Sequence, residues 1–180
     1  DKTWKVKVHP GLQEDEVWEK YLAPEMNELP KNVYSICLYG FTEMMNNVID
    51  HSEASEAIID LNLTGKDISI GIRDNGVGIF KKIQQALSLD DIKESLLHLS
   101  KGKFTTDPAK HSGEGIFFTS RAFEEFSISS GQLEYICISD NHDWLIQALE
   151  SDLVSGTYVL MKIDRNSKND LDRIFKEYTN

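Results

Sequence analysis

The stretch FTEMMNNVIDHS, residues 41–52, sets Glu43, Asn47, Asp50 and His51 into an otherwise apolar helix-forming run. At about 100° per residue these four fall within one narrow sector, with Phe41, Met44, Met45 and Val48 roughly opposite. Read alone, such a strip is a solvated helix face. A solvated face, however, normally carries lysine and glutamate rather than asparagine, a weak helix former. A carboxylate and an amide one turn apart suit a cleft. The carboxylate can accept a proton there, and the amide oxygen can coordinate a hard cation.

Two further stretches invite the same question. RDNGVGI, residues 73–79, closes an isoleucine-rich run. Asn-Gly there is a turn signal, but the second glycine, Gly78, makes a longer mobile backbone than one turn requires. Turn and site are evenly matched on this stretch alone. HSGEGIFF, residues 111–118, places Gly113 and Gly115 directly before an expected helix. Backbone N–H groups at a helix start, freed of side-chain bulk, form a nest that favours phosphate. A lone G-x-G is a weak signal. The three stretches together, in this order, outweigh their separate bland readings.

These residues need elements to hold them. TWKVKVH (3–9) alternates Trp4, Val6 and Val8 with lysines and predicts a half-exposed strand. Leu12 to Glu28 predicts a helix interrupted at Pro24, and Asn32 is placed to cap a long helix from Val33 to about His51. AIIDLNL and DISIGIR predict two strands joined by a Thr64-Gly65-Lys66 hairpin turn. Short amphipathic pieces, IFKKIQQALS and DDIKESLLHLS, then lead into KGKFTTDPAKHSGEG, too polar for a buried element and of a kind that is functional or disordered. A helix over IFFTSRAF follows, then strands over FSISS, QLEYICIS, WLIQAL and GTYVLMKI, and a final helix with Leu171, Ile174, Phe175 and Tyr178 at helical spacing. The mingling of helices and strands predicts one α+β domain over residues 1–180. Its mostly antiparallel sheet is covered on one face by helices.

The totals bound the rest. The 180 residues suffice for a core, and 40% hydrophobic with 27% charged is an ordinary globular composition. No apolar run approaches the roughly 20 residues of a membrane helix. The net charge of −11 opposes direct binding to nucleic acid or to an anionic membrane. Cys37 and Cys137 sit in apolar contexts without metal-type spacing and read as core thiols of a reducing compartment, here the cytoplasm. The abrupt start at Asp1-Lys2-Thr3-Trp4 reads as that of a piece cut from a longer chain.

From about Tyr34 to Ile163 the chain resembles the ATP-binding domain shared by DNA gyrase, the large heat-shock chaperone, histidine kinases and the mismatch-repair ATPase, the GHKL or Bergerat-fold family. FTEMMNNVIDHS is similar to its N box, RDNGVGI to its first glycine box and HSGEGIFF to its second. The resemblance implies a two-layer α/β sandwich with an ATP lid over about residues 80–112. It implies Mg²⁺ held by Asn47, and a nucleophile activated or oriented by Glu43. Asp74 would accept a hydrogen bond from the adenine amino group. Gly76 and Gly78 would shape the pocket and hinge the lid, and Gly113 and Gly115 would lie beside the phosphates. Thr157 would stand in the Gly-Thr strand beneath the adenine, and Lys101, Lys103, Thr105 and Thr106 of KGKFTT would reach the phosphates from the lid.

The branch within the family stays open. Sensor histidine kinases typically carry asparagine where this chain has Glu43, which favours anti-sigma-factor serine kinases or the hydrolytic ATPases. His51 fits the kinase pattern E-x-x-x-N-A-x-x-H, with Val48 in place of its alanine. Asp50, counted with the nucleotide-binding set, resembles the N-S-x-D-A of the ATPases. No phosphoacceptor helix of the H-E-x-x-(S/T)-P type occurs in the sequence. The resemblance therefore implies a kinase-type domain closest to the anti-sigma kinases, passing its phosphoryl group to a partner protein or neighbouring domain in bacterial-type signalling. A regulatory switch with little turnover and an ATP hydrolase of the mismatch-repair type are the alternatives. A homodimer is compatible with each.

Overall fold

The computed structural model describes residues 1–91, 94, 112–138, 143–148 and 154–178. Seven strands form one sheet: β1 (Lys2–Lys7), β2 (Glu56–Leu63), β3 (Asp67–Asp74), β4 (Glu125–Gly131), β5 (Leu133–Ile138), β6 (Asp143–Ala148) and β7 (Val154–Asp164). Their spatial order is β1-β2-β3-β7-β4-β5-β6, and every pairing among them is antiparallel. Among the described residues the α-helices are α1 (Glu14–Val17), α2 (Lys31–His51), α3 (Ile79–Leu87), α4 (Ser112–Ala122) and α5 (Leu171–Tyr178). This is the α+β sandwich expected of the sequence.

The alternation that predicted the strands also explains the layers. Ile59 pairs with Ile72, which pairs with Val159, which pairs with Ile128 and then Tyr135; all five are buried. Leu61, Ile70, Met161, Phe126 and Cys137 make the next buried row. Side chains of a strand alternate between faces, so these rows line one side of the sheet. Helix α2 lies on that side, burying Val33, Ile36, Cys37, Phe41, Met44, Met45 and Val48. Gly40 lets it approach closely: a Cβ there would collide with the Phe123 ring and lie 3.1 Å from Met161 Sδ. The opposite sheet face carries polar groups, among them Arg73, whose guanidinium stacks 4.8 Å over Tyr158, and Lys162, paired to Asp67 at 3.8 Å.

The hairpin forms as expected. The Thr64 Oγ1 accepts from the Asp67 N–H at 2.8 Å and from the Lys66 N–H at 3.2 Å, which closes the turn between β2 and β3. Three expectations are corrected. The helix over Leu12 to Glu28 is instead α1, a π-helical turn (Trp18–Leu22) and a 3₁₀ turn (Ala23–Glu25). Pro24 cannot continue an α-helical ladder, and the irregular turns bury Trp18 against Tyr34 and Phe41. Asn32 does not cap α2, which starts at Lys31 with Pro30 before it. Its amide instead donates to the carbonyls of Ser167 at 2.7 Å and Asn169 at 2.9 Å, tying α2 to the chain before α5. Lastly, α4 begins at Ser112, so Gly113 and Gly115 lie within its first turn rather than before it. The segment DDIKESLLHLS falls, but for its first residues and Glu94, outside the described residues.

Candidate functional site

The end of α2 and the loop after β3 are stitched together. Helix α2 stops at His51, and the Ser52 carbonyl accepts from the Val77 N–H at 2.9 Å. Gly76 packs so closely on Ser52 that a Cβ would strike its carbonyl. The Asn75 side chain holds the same junction from the other side. Its Oδ1 accepts from the N–H groups of Ser55 (3.0 Å) and Glu56 (3.1 Å), and its Nδ2 donates to Ser55 Oγ at 2.9 Å. The polar strip of α2 and the D-x-G-x-G loop are therefore one structural unit, although their motifs are separated in sequence.

Asp74, the last residue of β3, is 5% exposed and sits in the helix-covered row of its strand. The Gly76 N–H donates to its Oδ1 at 2.8 Å, and the Thr157 N–H donates to the same carboxyl group. Burial pushes the Asp74 carboxyl above the ordinary carboxylate range, and these two N–H groups pull against that rise. A buried carboxylate served by two backbone donors keeps lone pairs for a further donor. Thr157 is itself a junction: its Oγ1 accepts from the Ile79 N–H at 2.9 Å, fixing the first turn of α3. Beside it the β4–β7 register shifts at Ser130/Gly131, a bulge that puts Gly156 at φ +87°. A Cβ on Gly156 would run into the Asp74 carbonyl and lie 2.8 Å from Oδ1. Ser130 Oγ donates to the Gly156 carbonyl at 2.9 Å, and Gly78, at φ +88°, passes over that hydroxyl.

The other end of the site is made by α2 and α4, which pack on one another. Glu43, Asn47, Asp50 and His51 are all half-buried. The Glu43 carboxylate fills the place a side chain would take at Gly115. A Cβ there would overlap Oε2 and lie 3.1 Å from Cδ. Tyr39 stands one turn earlier on α2. Burial, followed by the Glu43 and Glu114 carboxylates, holds its hydroxyl pKa well above the ordinary tyrosine value. The Glu43 carboxylate thus lies against the first turn of α4, where N–H groups lack intrahelical acceptors.

Of the sequence-predicted residues, Asp74, Gly76 and Thr157 come together around one carboxyl group, and Gly78 lies against Ser130 and the Gly156 carbonyl beside it. Glu43 and Gly115 meet at the helix junction, with Asn47 and Asp50 further along α2 and Gly113 in the first turn of α4. Lys101, Lys103, Thr105 and Thr106 lie outside the described residues. The sequence reading missed Ser52, Asn75, Ser130 and the bulge at Gly156. Asn-Gly and Gly-Thr were visible there, but nothing local announced their partners.

Among the described residues no three His, Cys, Asp or Glu side chains are placed to hold a metal ion. Magnesium bound with a nucleotide takes few protein ligands and completes its shell with phosphate oxygens and waters. Asn47 offers the amide oxygen for such a role. Residues 39–166 match the family model described as histidine kinase-, DNA gyrase B- and HSP90-like ATPase. The chain belongs to this family. The match covers well over half of the 180 residues and all three motif stretches. No curated protein matches the chain. As a GHKL ATPase-type domain it is an ATP-binding module, and among its described residues no helix is long and apolar enough to cross a membrane.

Proposed function

We propose that these 180 residues act as one Mg·ATP-dependent kinase domain that transfers the γ-phosphoryl group to a partner protein or neighbouring domain. The reading is carried by the Glu43 carboxylate lying against the first turn of α4, on the same helix as Asn47. Asp74 accepts from the adenine amino group, in the buried setting that its Gly76 and Thr157 donors prepare. Gly76 and Gly78 shape the base pocket, and Thr157 holds the adjoining start of α3. The first turn of α4, with Gly113 and Gly115, offers backbone N–H groups to the phosphates. Lys101, Lys103, Thr105 and Thr106 add positive charge and hydroxyls from the lid, and Asp50 supports the nucleotide side of α2.

Asn47 would hold the magnesium ion through its amide oxygen, and the metal, when bound, would spread the charge of the phosphates. Glu43 takes the proton of the acceptor hydroxyl as that oxygen bonds to the γ-phosphorus and the bond to the β–γ bridging oxygen breaks, leaving ADP. In such a transfer, placement and charge stabilisation carry most of the rate. A serine or threonine acceptor suits a carboxylate at this position. The test is Glu43→Ala. A kinase keeps its affinity for Mg·ATP and loses transfer by about 10²–10⁴-fold, the usual contribution of general-base help. Equal turnover in wild type and Glu43→Ala would sink the assignment. Tight ATP binding with no transfer or hydrolysis in wild type would instead make the domain a switch.

A further inference from the structure

The second glycine of the HSGEGIFF stretch has a neighbour that its sequence does not announce. A Cβ on Gly115 meets Glu43, overlapping Oε2 and lying 3.1 Å from Cδ and 3.2 Å from Cβ. Gly115 is buried, within a regular helix, and needs no left-handed backbone. Helix propensity therefore favours alanine at this position, and the glycine costs stability where it stands. The space it leaves is the space the carboxylate occupies.

The surroundings narrow the carboxylate further. Tyr39 lies one turn before Glu43 on α2, and its ring packs edge-on to Phe175 at 5.3 Å. Both Glu43 and Glu114 act on that hydroxyl. The Glu43 side chain thus lies against Gly115, and its charge and that of Glu114 both reach the Tyr39 hydroxyl. An added methyl group at Gly115 would swing the flexible carboxylate away from this resting place, while α2 and its Asn47 stayed where they are.

We propose that Gly115 is a positioning residue for Glu43: its missing side chain sets where the carboxylate stands for phosphoryl transfer. This rests on the kinase reading of Glu43, and the two can fail separately. The decisive variant is Gly115→Ala, made alone and with Glu43→Ala or Glu43→Asp, in the chain as it stands. In wild-type background Gly115→Ala lowers kcat by about 10–100-fold, the scale of a misplaced reacting group. Glu43→Asp, with a shorter side chain, recovers part of that loss in the Gly115→Ala background though it lowers kcat on its own. A readout independent of turnover is the melting temperature of the nucleotide-free protein. Gly115→Ala raises it by about 2–4 °C more when Glu43 is already alanine, because the helix gains without the collision. Additive melting shifts, or unchanged kcat in Gly115→Ala beside a kcat lost in Glu43→Ala, would overturn the positioning role and leave the kinase reading intact. If Glu43→Ala leaves turnover unchanged, the kinase reading itself fails, whatever the melting data show.

Discussion

Replacing Gly156 by alanine tests the half of the site around Asp74, which we propose receives the base. Two costs arise at once. The backbone stands at φ +87°, where a side chain is strained by roughly 1–3 kcal/mol. The new Cβ would also run into the Asp74 carbonyl, which is fixed in the β3–β7 junction and cannot swing aside as a side-chain tip can. Overpacking of this kind costs about 1–3 kcal/mol. The sum is about 2–6 kcal/mol. For a chain of this length each kcal/mol moves the melting temperature by about 2–4 °C, so a fall of about 10 °C is expected. The displaced strand end also disturbs the Thr157 N–H bond to Asp74, so Mg·ATP affinity falls at least about tenfold, or 1.4 kcal/mol. Differential scanning fluorimetry and titration calorimetry read the two effects. Gly65→Ala in the β2–β3 turn is the control: a Cβ there meets nothing within 4 Å, and the expected change is within about 0.5 kcal/mol. Should Gly156→Ala behave like Gly65→Ala in both assays, the close approach of the bulge to Asp74 is not what holds this end of the site.

Three other perturbations have defined outcomes. Asn32→Ala removes two hydrogen bonds to carbonyls near α5 and is expected to cost about 1–3 kcal/mol in urea unfolding, with no change in m-value. Cys37 is fully buried and its thiol is pushed up to about 12, so neither it nor the buried Cys137 should react with an aromatic disulfide reagent before unfolding; fast labelling of the native protein would contradict this. Asp74 gives opposite pH trends for folding and for binding. Its folded pKa is raised, so its contribution to stability is full below the unfolded value near 3.8 and is lost as pH rises through the folded pKa. Wild type should therefore gain on Asp74→Asn as pH falls towards 4 in paired urea melts. Mg·ATP affinity should fall over the same range as the acceptor is protonated.

The residues that were legible in the sequence are those whose partners are near in the chain or whose pattern is periodic. The isoleucine alternation of β3 and the leucine–isoleucine alternation of β2 fixed both faces of the central hairpin, and Thr64 closes it as the turn chemistry requires. Asp74 and Thr157 were visible only through family likeness, and the backbone bond between them depends on β7 lying next to β3. Local signals misled where a distant partner took the group over. Asn32 has the right type and place for a helix cap, yet Ser167 and Asn169 claim its amide. Trp18 needed burial against Tyr34 and Phe41 more than the chain around Pro24 needed a regular helix. The contact between Glu43 and Gly115 joins the polar strip of α2 to the glycine pair that opens α4. Only the packing of α2 on α4 makes them neighbours.

The central claim is that Asp74 anchors an adenine nucleotide at one end of the site while Glu43 acts at the other. Titration calorimetry of Mg·ATP into wild type, Asp74→Ala and Glu43→Ala tests it most directly. The account predicts that wild type binds, that Glu43→Ala binds within a few-fold of it, and that Asp74→Ala loses at least about 2 kcal/mol, roughly thirtyfold, by leaving the adenine amino group without its charged acceptor. Equal affinity in wild type and Asp74→Ala would contradict it.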